Sequence, residues 1–261
     1  MCKMCDTDRA DEQSIFGRLR SIYASLIYQK ELSACMRSLE DTLLNKEFSK
    51  EEQDLLVRHM KQSSMLDTFQ PAYETYETDL EHAFAKDLTS NKVDGIESYA
   101  LFGRFEQLID SEIKLSDIGA KDSVLFIGSG PFPISAILLS QYSGCRVDCY
   151  DSDADAVHIS SKVIGSLGLD KDISIYNQDG RDLADTTYDA VVIALLAKPK
   201  EAIFKTVRSR LKENGKIICR DSKGVHQAFY KPTDRSLVGM YNLCDTTLGS
   251  GYNPISSLLF R

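Results

Sequence analysis

The chain has 261 residues, 39 acidic against 31 basic, a formal charge of −8, and 43% hydrophobic residues. That apolar content can fill a core and excludes disorder by composition; the length allows one large domain or two small ones. The acidic balance offers no basic face to nucleic acid or an anionic membrane. The longest apolar run, Ala190 to Ala197, is far short of the roughly 20 residues that cross a bilayer.

The first twenty residues are too polar for a signal-peptide core, so a cytoplasmic protein is expected. Seven cysteines form an odd set, and reduced thiols are the default there. Cys2 and Cys5 have zinc-ligand spacing, but no second such pair completes a four-coordinate site, and no metal is expected.

Up to about residue 117 the pattern is helical. Phe16, Leu19, Ile22, Tyr23 and Leu26 share one stripe, and amphipathic segments follow over Glu31 to Leu44, Lys50 to Met65, Phe69 to Leu88 and Gly95 to Leu115. Ser49 and Glu52 have the spacing of a capping box, and Pro71 suits the first turn of its helix. From Lys121 the pattern alternates. Strands are predicted at Ser123 to Ile127, Arg146 to Tyr150, Ile173 to Tyr176, Asp189 to Leu195 and Lys216 to Cys219. Two more are predicted near Gly239 to Leu243 and Ser256 to Phe260. Helices are predicted over Ile134 to Tyr142, Ala154 to Leu167 and Glu201 to Leu211, with a turn at Asn214 and Gly215. Alternation of this kind makes βαβ units and a mostly parallel sheet. The expected architecture is an α/β, Rossmann-like doubly wound domain over 118–261, preceded by a small all-helical cap over 1–117.

Gly128-Ser129-Gly130-Pro131 follows the first strand and opens a helix, where backbone N–H groups and close approach favour a nucleotide. Asp151 and Asp153 end the second strand, where such folds hold ribose hydroxyls. Asp179 and Gly180 end the third, where an adenine would be read. The third glycine of a dinucleotide fingerprint is replaced by Pro133, which disfavours a pyrophosphate. S-adenosylmethionine tolerates such a loop. Ordinary methyltransferases carry an acidic residue two positions before the first glycine; here it is Phe126, so a differently held methionine tail is expected.

The run VLFIGSGPFPISAILLS from Val124 to Ser140 resembles the signature of the nicotianamine synthase superfamily. The segment from Tyr150 to Asp153 with the helix after it, Ala194 to Lys200, including Leu195, and Arg220 to Gly224 followed by Ala228-Phe229-Tyr230 match its later segments in order. The likeness covers about Asp79 to Phe260.

This resemblance implies transfer of the 2-aminobutanoyl (3-amino-3-carboxypropyl) group of S-adenosylmethionine, used as co-substrate, to an amine, with methylthioadenosine leaving. Selecting the γ-carbon over the methyl is a matter of alignment, and a free amine needs a general base. The resemblance puts Glu81 in that role, with Asp79 and Glu77 as the alternatives. Arg220 at the fifth strand end is the candidate for a substrate carboxylate, with Tyr230 nearby, and Tyr99 and Phe105 are candidates to wall the acceptor pocket. Their spacing is equally that of core aromatic residues.

The stretch Leu167 to Leu183 looks most like a bacterial branch that adds one unit to histidine, feeding an opine-type metallophore completed by a following dehydrogenase. Repeated transfer, as in nicotianamine or thermonicotianamine synthases, is the first alternative. A small-molecule methyltransferase and a non-catalytic nucleotide- or metal-binding protein are the others. A homodimer is left open.

Overall fold

The computed structural model describes residues 14–234, 236–237, 241–249 and 253–261; Cys2, Cys5 and the start of the predicted strand at Gly239 lie outside them. The chain forms two compact units. One takes Met1–Glu77, Ser222–Pro232 and Ser250–Pro254, the other Thr78–Asp221, Thr233–Gly249 and Ile255–Arg261.

The first unit is helical: α1 (Ile15–Ile27), α2 (Leu32–Leu43), α3 (Lys50–Gln62) and the first half of α4 (Met65–Thr89). Ser49 caps α3 through the full capping box with Glu52. Helix α4 begins four residues earlier than its sequence pattern suggests, which leaves Pro71 inside it. A proline there forfeits one backbone bond; burial of Met65 and Leu66 on that added turn offsets the loss. Tyr73 is buried against Phe229 and Tyr230 of the 222–232 segment, with ring centroids 4.8 and 5.3 Å apart.

The second unit holds the rest of α4, α5 (Phe102–Ser116), β1 (Ser123–Ile127), α6 (Ile134–Ser143), β2 (Arg146–Asp151), α7 (Ala154–Leu167), β3 (Ile173–Asn177), β4 (Tyr188–Ile193), α8 (Lys200–Arg208), β5 (Leu211–Asp221), β6 (Leu243–Thr247) and β7 (Ser256–Phe260). The stretch from Gly95 reads as one helix in the sequence but divides into a 3-10 turn, Ile96–Ser98, and α5. The sheet order is β3-β2-β1-β4-β5-β7-β6. Five strands are parallel, and β7 and β6 are added antiparallel. Residues 124–127 of β1 and 190–193 of β4 are continuously apolar because both faces are covered there.

The turn expected at Asn214 lies inside β5. Pairing with β4 jumps from Tyr188↔Leu211 to Ala190↔Lys216, and Asn214 takes φ 64° in the looped-out residues. Tyrosine, leucine, isoleucine and phenylalanine side chains of β1, β4, β5, β7 and α8 fill one core, with Phe204 and Val191 fully buried. Among the described residues no helix is long and apolar enough to cross a membrane.

Candidate active site

The parallel strands end together on one edge, and the order reverses between β1 and β4, where open α/β sheets bind ligands. Gly128 leaves β1 with φ +83°, its amide bonded to the Tyr150 carbonyl at 2.8 Å. A Cβ there would lie 3.2 Å from the Cβ atoms of Ala194 and Ala197. Gly130 has φ +69°, and its amide donates to Asp151 Oδ2 at 2.8 Å. Asp151 Oδ1 accepts from the Asp153 amide at 3.0 Å, and Asp153 caps α7 through the Asp155 amide. Asp151 thus ties the glycine loop to the β2 end and keeps one lone pair on each oxygen for a ligand hydroxyl. Ser129 is 8% exposed, and its hydroxyl has no hydrogen-bond partner among the described residues; a buried hydroxyl of this kind in a bare glycine cradle fits a polar nucleoside tail. Pro131 is buried beside it, and Leu195 is buried past the end of β4.

Glu81, on the second half of α4, reaches this loop. A Cβ built on Gly130 would stand 2.7 Å from Glu81 Oε2, so the carboxylate rests against the glycine's bare Cα. One turn on, Phe84 packs at 4.7 Å from Phe132 of the loop and 5.1 Å from Tyr99; Tyr99 in turn stacks on Phe105 at 6.4 Å. Tyr99 and Phe105 therefore join an aromatic cluster that abuts the loop, and Phe84 and Phe132 are members the sequence did not single out. Phe84, three residues after Glu81, was readable from helical spacing alone.

Asp179 follows β3. Its carboxylate accepts the Arg181 amide and Nε at 2.8 and 2.9 Å on Oδ1, and Nη2 at 2.6 Å on Oδ2. These Arg181 hydrogen bonds hold the Asp179 carboxyl at about 2. Gly180 is buried against Ile127 at the β1 end.

Arg220 is 3% exposed at the end of β5. Its Nε and Nη2 donate to the two Glu112 oxygens at 3.0 Å each, and Nη1 donates to Ser135 Oγ at 2.9 Å. Ser257 Oγ donates to Glu112 at 2.6 Å, and the guanidinium lies 5.2 Å from the Phe126 ring centroid. Three of its five donors are thus used within the protein, opposite a neutralising carboxylate. Glu112 was not singled out in the sequence; its signal there is a charge on the face of α5 that buries Leu108 and Ile109. Lys200 Nζ reaches the Arg220 carbonyl at 2.5 Å and Thr233 Oγ1 at 3.0 Å; desolvation pushes this ammonium below the usual lysine value. Tyr230 and Glu77 belong to the other unit, where both are buried and the phenol donates to Glu77 Oε2 at 2.6 Å. Asp79 lies on α4 in the same unit as Glu81. Among the described residues no group of three or more His, Cys, Asp or Glu is arranged to hold a metal ion.

The sheet order, the cradle after β1 and the acidic β2 end define a Rossmann-like fold of the S-adenosylmethionine-dependent methyltransferase type. The family model described as nicotianamine synthase protein matches residues 17–259, and the chain belongs to the nicotianamine synthase family. It is 30% identical over 128 residues to an L-histidine 2-aminobutanoyltransferase of Yersinia pestis, covering 49% of this chain and 48% of the relative. An L-histidine 2-aminobutanoyltransferase of Pseudomonas aeruginosa is 26% identical over 145 residues, 54% of each chain. The matched stretch spans about half the length of these curated relatives. A crystal structure of an MtNAS variant in complex with S-adenosylmethionine superposes with TM-score 0.84 at 22% identity, over 94% of this chain and 96% of that one. That likeness carries the fold.

Proposed function

We propose that this protein transfers the 2-aminobutanoyl group of S-adenosylmethionine to the amine of histidine, once, in a cytosolic route to an opine metallophore completed by a dehydrogenase. The donor supplies a sulfonium whose γ-carbon is electrophilic; the amine nitrogen bonds to it, and the carbon–sulfur electron pair leaves with methylthioadenosine. The observation that carries this reading is the Glu81 carboxylate resting on Gly130, a base positioned on the loop that would hold the donor. Glu81 takes the proton of the attacking amine. Gly128, Ser129, Gly130 and Pro131 border the methionine tail, Asp151 and Asp153 hold the ribose edge, and Asp179 and Gly180 meet the purine beside Leu195. The cluster of Tyr99, Phe105, Phe84 and Phe132 borders the acceptor side and limits water. Arg220 enters as the anchor of the Glu112 pair, which fixes the first turn of α6 behind the loop. Family membership and the names of the two bacterial relatives support the reaction type and the acceptor.

The test is purified protein with S-adenosylmethionine and a panel of amino acids, followed by mass spectrometry. Methylthioadenosine and histidine heavier by one aminobutanoyl unit are expected. S-adenosylhomocysteine would make it a methyltransferase, a second added unit would make it an iterative synthase, and no turnover with any acceptor would end the reading.

A further inference from the structure

The nucleotide half of the site contains a clamp that the reaction itself does not require. Asp179 and Arg181 form a fork within one turn, closed by the Asp182 amide on the Asp179 carbonyl at 2.9 Å. The turn is held from three sides. The Gln178 amide bonds the Asp151 carbonyl at 2.9 Å, which sets Asp179 beside the ribose carboxylate. Gly180 abuts Ile127, the last residue before the glycine loop; a Cβ there would fall 2.5 Å from Ile127 Cγ2. Thr206 Oγ1 of α8 donates to the Arg181 carbonyl at 3.2 Å.

The lone pairs can be counted. A carboxylate offers about four acceptor positions. Asp179 Oδ1 accepts the Arg181 amide and Nε, and Oδ2 accepts Nη2. Three positions are used, and one remains, on Oδ2. We propose that Arg181 is a specificity-determining positioning residue, aiming the last acceptor position of Asp179 at the exocyclic amine of the nucleoside so that a 6-amino purine is accepted and a 6-oxo purine rejected. The inference rests on the donor-site reading given above. A purine amine donates to that position, whereas a 6-oxo group presents a second acceptor and leaves both oxygens opposed. A lysine keeps the charge of Arg181 but not the planar fork that fixes the carboxylate from two sides.

The experiment is calorimetric binding of methylthioadenosine and methylthioinosine, its 6-oxo counterpart, to the full chain. The wild type should prefer the adenine form by about ten-fold or more, the scale of one hydrogen bond to a charged group. Arg181→Gln and Arg181→Lys should both cut that preference at least five-fold, and Asp179→Asn should remove it, because an amide can donate to the oxo group as well as accept from the amine. An unchanged or increased preference in both Arg181 variants would overturn the role of the fork. A preference retained in Asp179→Asn would overturn Asp179 as the reader. If neither nucleoside binds the wild type, the donor-site reading fails, and this inference with it.

Discussion

A carboxylate in contact with a glycine Cα leaves no space for a larger residue, so Glu81 and Gly130 constrain one another. Glu81→Gln keeps the shape and removes the base. It should lower kcat by about 10²–10⁴-fold while methylthioadenosine affinity in calorimetry stays close to wild type, because the proton belongs to the acceptor. Gly130→Ala separates geometry from charge. Its φ of +69° carries about 1–2 kcal/mol of strain for any residue with a Cβ. The new methyl must also push Glu81 Oε2 from its 2.7 Å position. A methyl at Gly128 would first meet Ala194 Cβ and Ala197 Cβ and Cα rather than Glu81, so Gly128→Ala should lose similar stability with a much smaller loss of kcat. Melting temperatures and kcat measured on the pair decide this; equal loss of kcat in both variants would detach Glu81 from the loop. The loop itself was legible because glycines after a five-residue apolar strand have few other uses. The resemblance put Glu81 before Asp79 and Glu77, but residue spacing alone could not choose among them, because only the rotation of α4 decides which carboxylate faces the loop.

Elements are joined by charge at two places that the sequence left blank. Glu112 of α5 pairs with Arg220 of β5 and accepts from Ser257 of β7, while Arg220 also binds Ser135 of α6. The sequence marks Arg220 as a strand-end cation, but its partner stands 108 positions earlier, and only the packing of α5 on the sheet brings them together. Glu112→Gln leaves a guanidinium that is 3% exposed without a counter-charge and should cost about 3–5 kcal/mol in urea unfolding. Replacing both residues by leucine should recover much of that loss. The second junction is Asp189 at the start of β4. It accepts the Ser123 amide and hydroxyl at 2.8 Å each and Lys212 Nζ at 2.7 Å. Burial pushes its carboxyl up, but Lys212 and Ser123 outweigh this and hold it at about 2. A depressed carboxyl contributes stability that is complete above the unfolded value near 3.9 and is lost as pH falls through the folded one. Asp189→Asn should therefore cost about 1 kcal/mol at pH 7, and the gap to wild type should close between pH 4 and pH 2. A gap that does not change with pH would assign the loss to packing.

At the scale of the whole chain, the change of texture near residue 117 is real in the secondary structure, with helices before it and the sheet after it. The compact units follow a different division: each gathers three separated stretches of chain, and α4 belongs half to each. Sequence texture follows local periodicity, whereas a unit is defined by what packs together, so the first was readable and the second was not. The difference has a consequence for fragments. A piece spanning 118–261 lacks Glu112, so Arg220 would be buried unpaired at the cost given above, and it lacks the Phe105, Leu108 and Ile109 side chains buried on α5. A piece spanning 1–117 lacks Phe229 and Tyr230, which are 0% and 2% exposed and pack on Tyr73. Against a total stability of about 5–15 kcal/mol, either deficit is decisive. Each fragment alone should show weak, non-cooperative unfolding by circular dichroism and rapid proteolysis, and mixing the two should restore a cooperative transition together with methylthioadenosine binding. A piece spanning 118–261 that melts cooperatively by itself would mean that the sheet needs neither α5 nor its buried carboxylate.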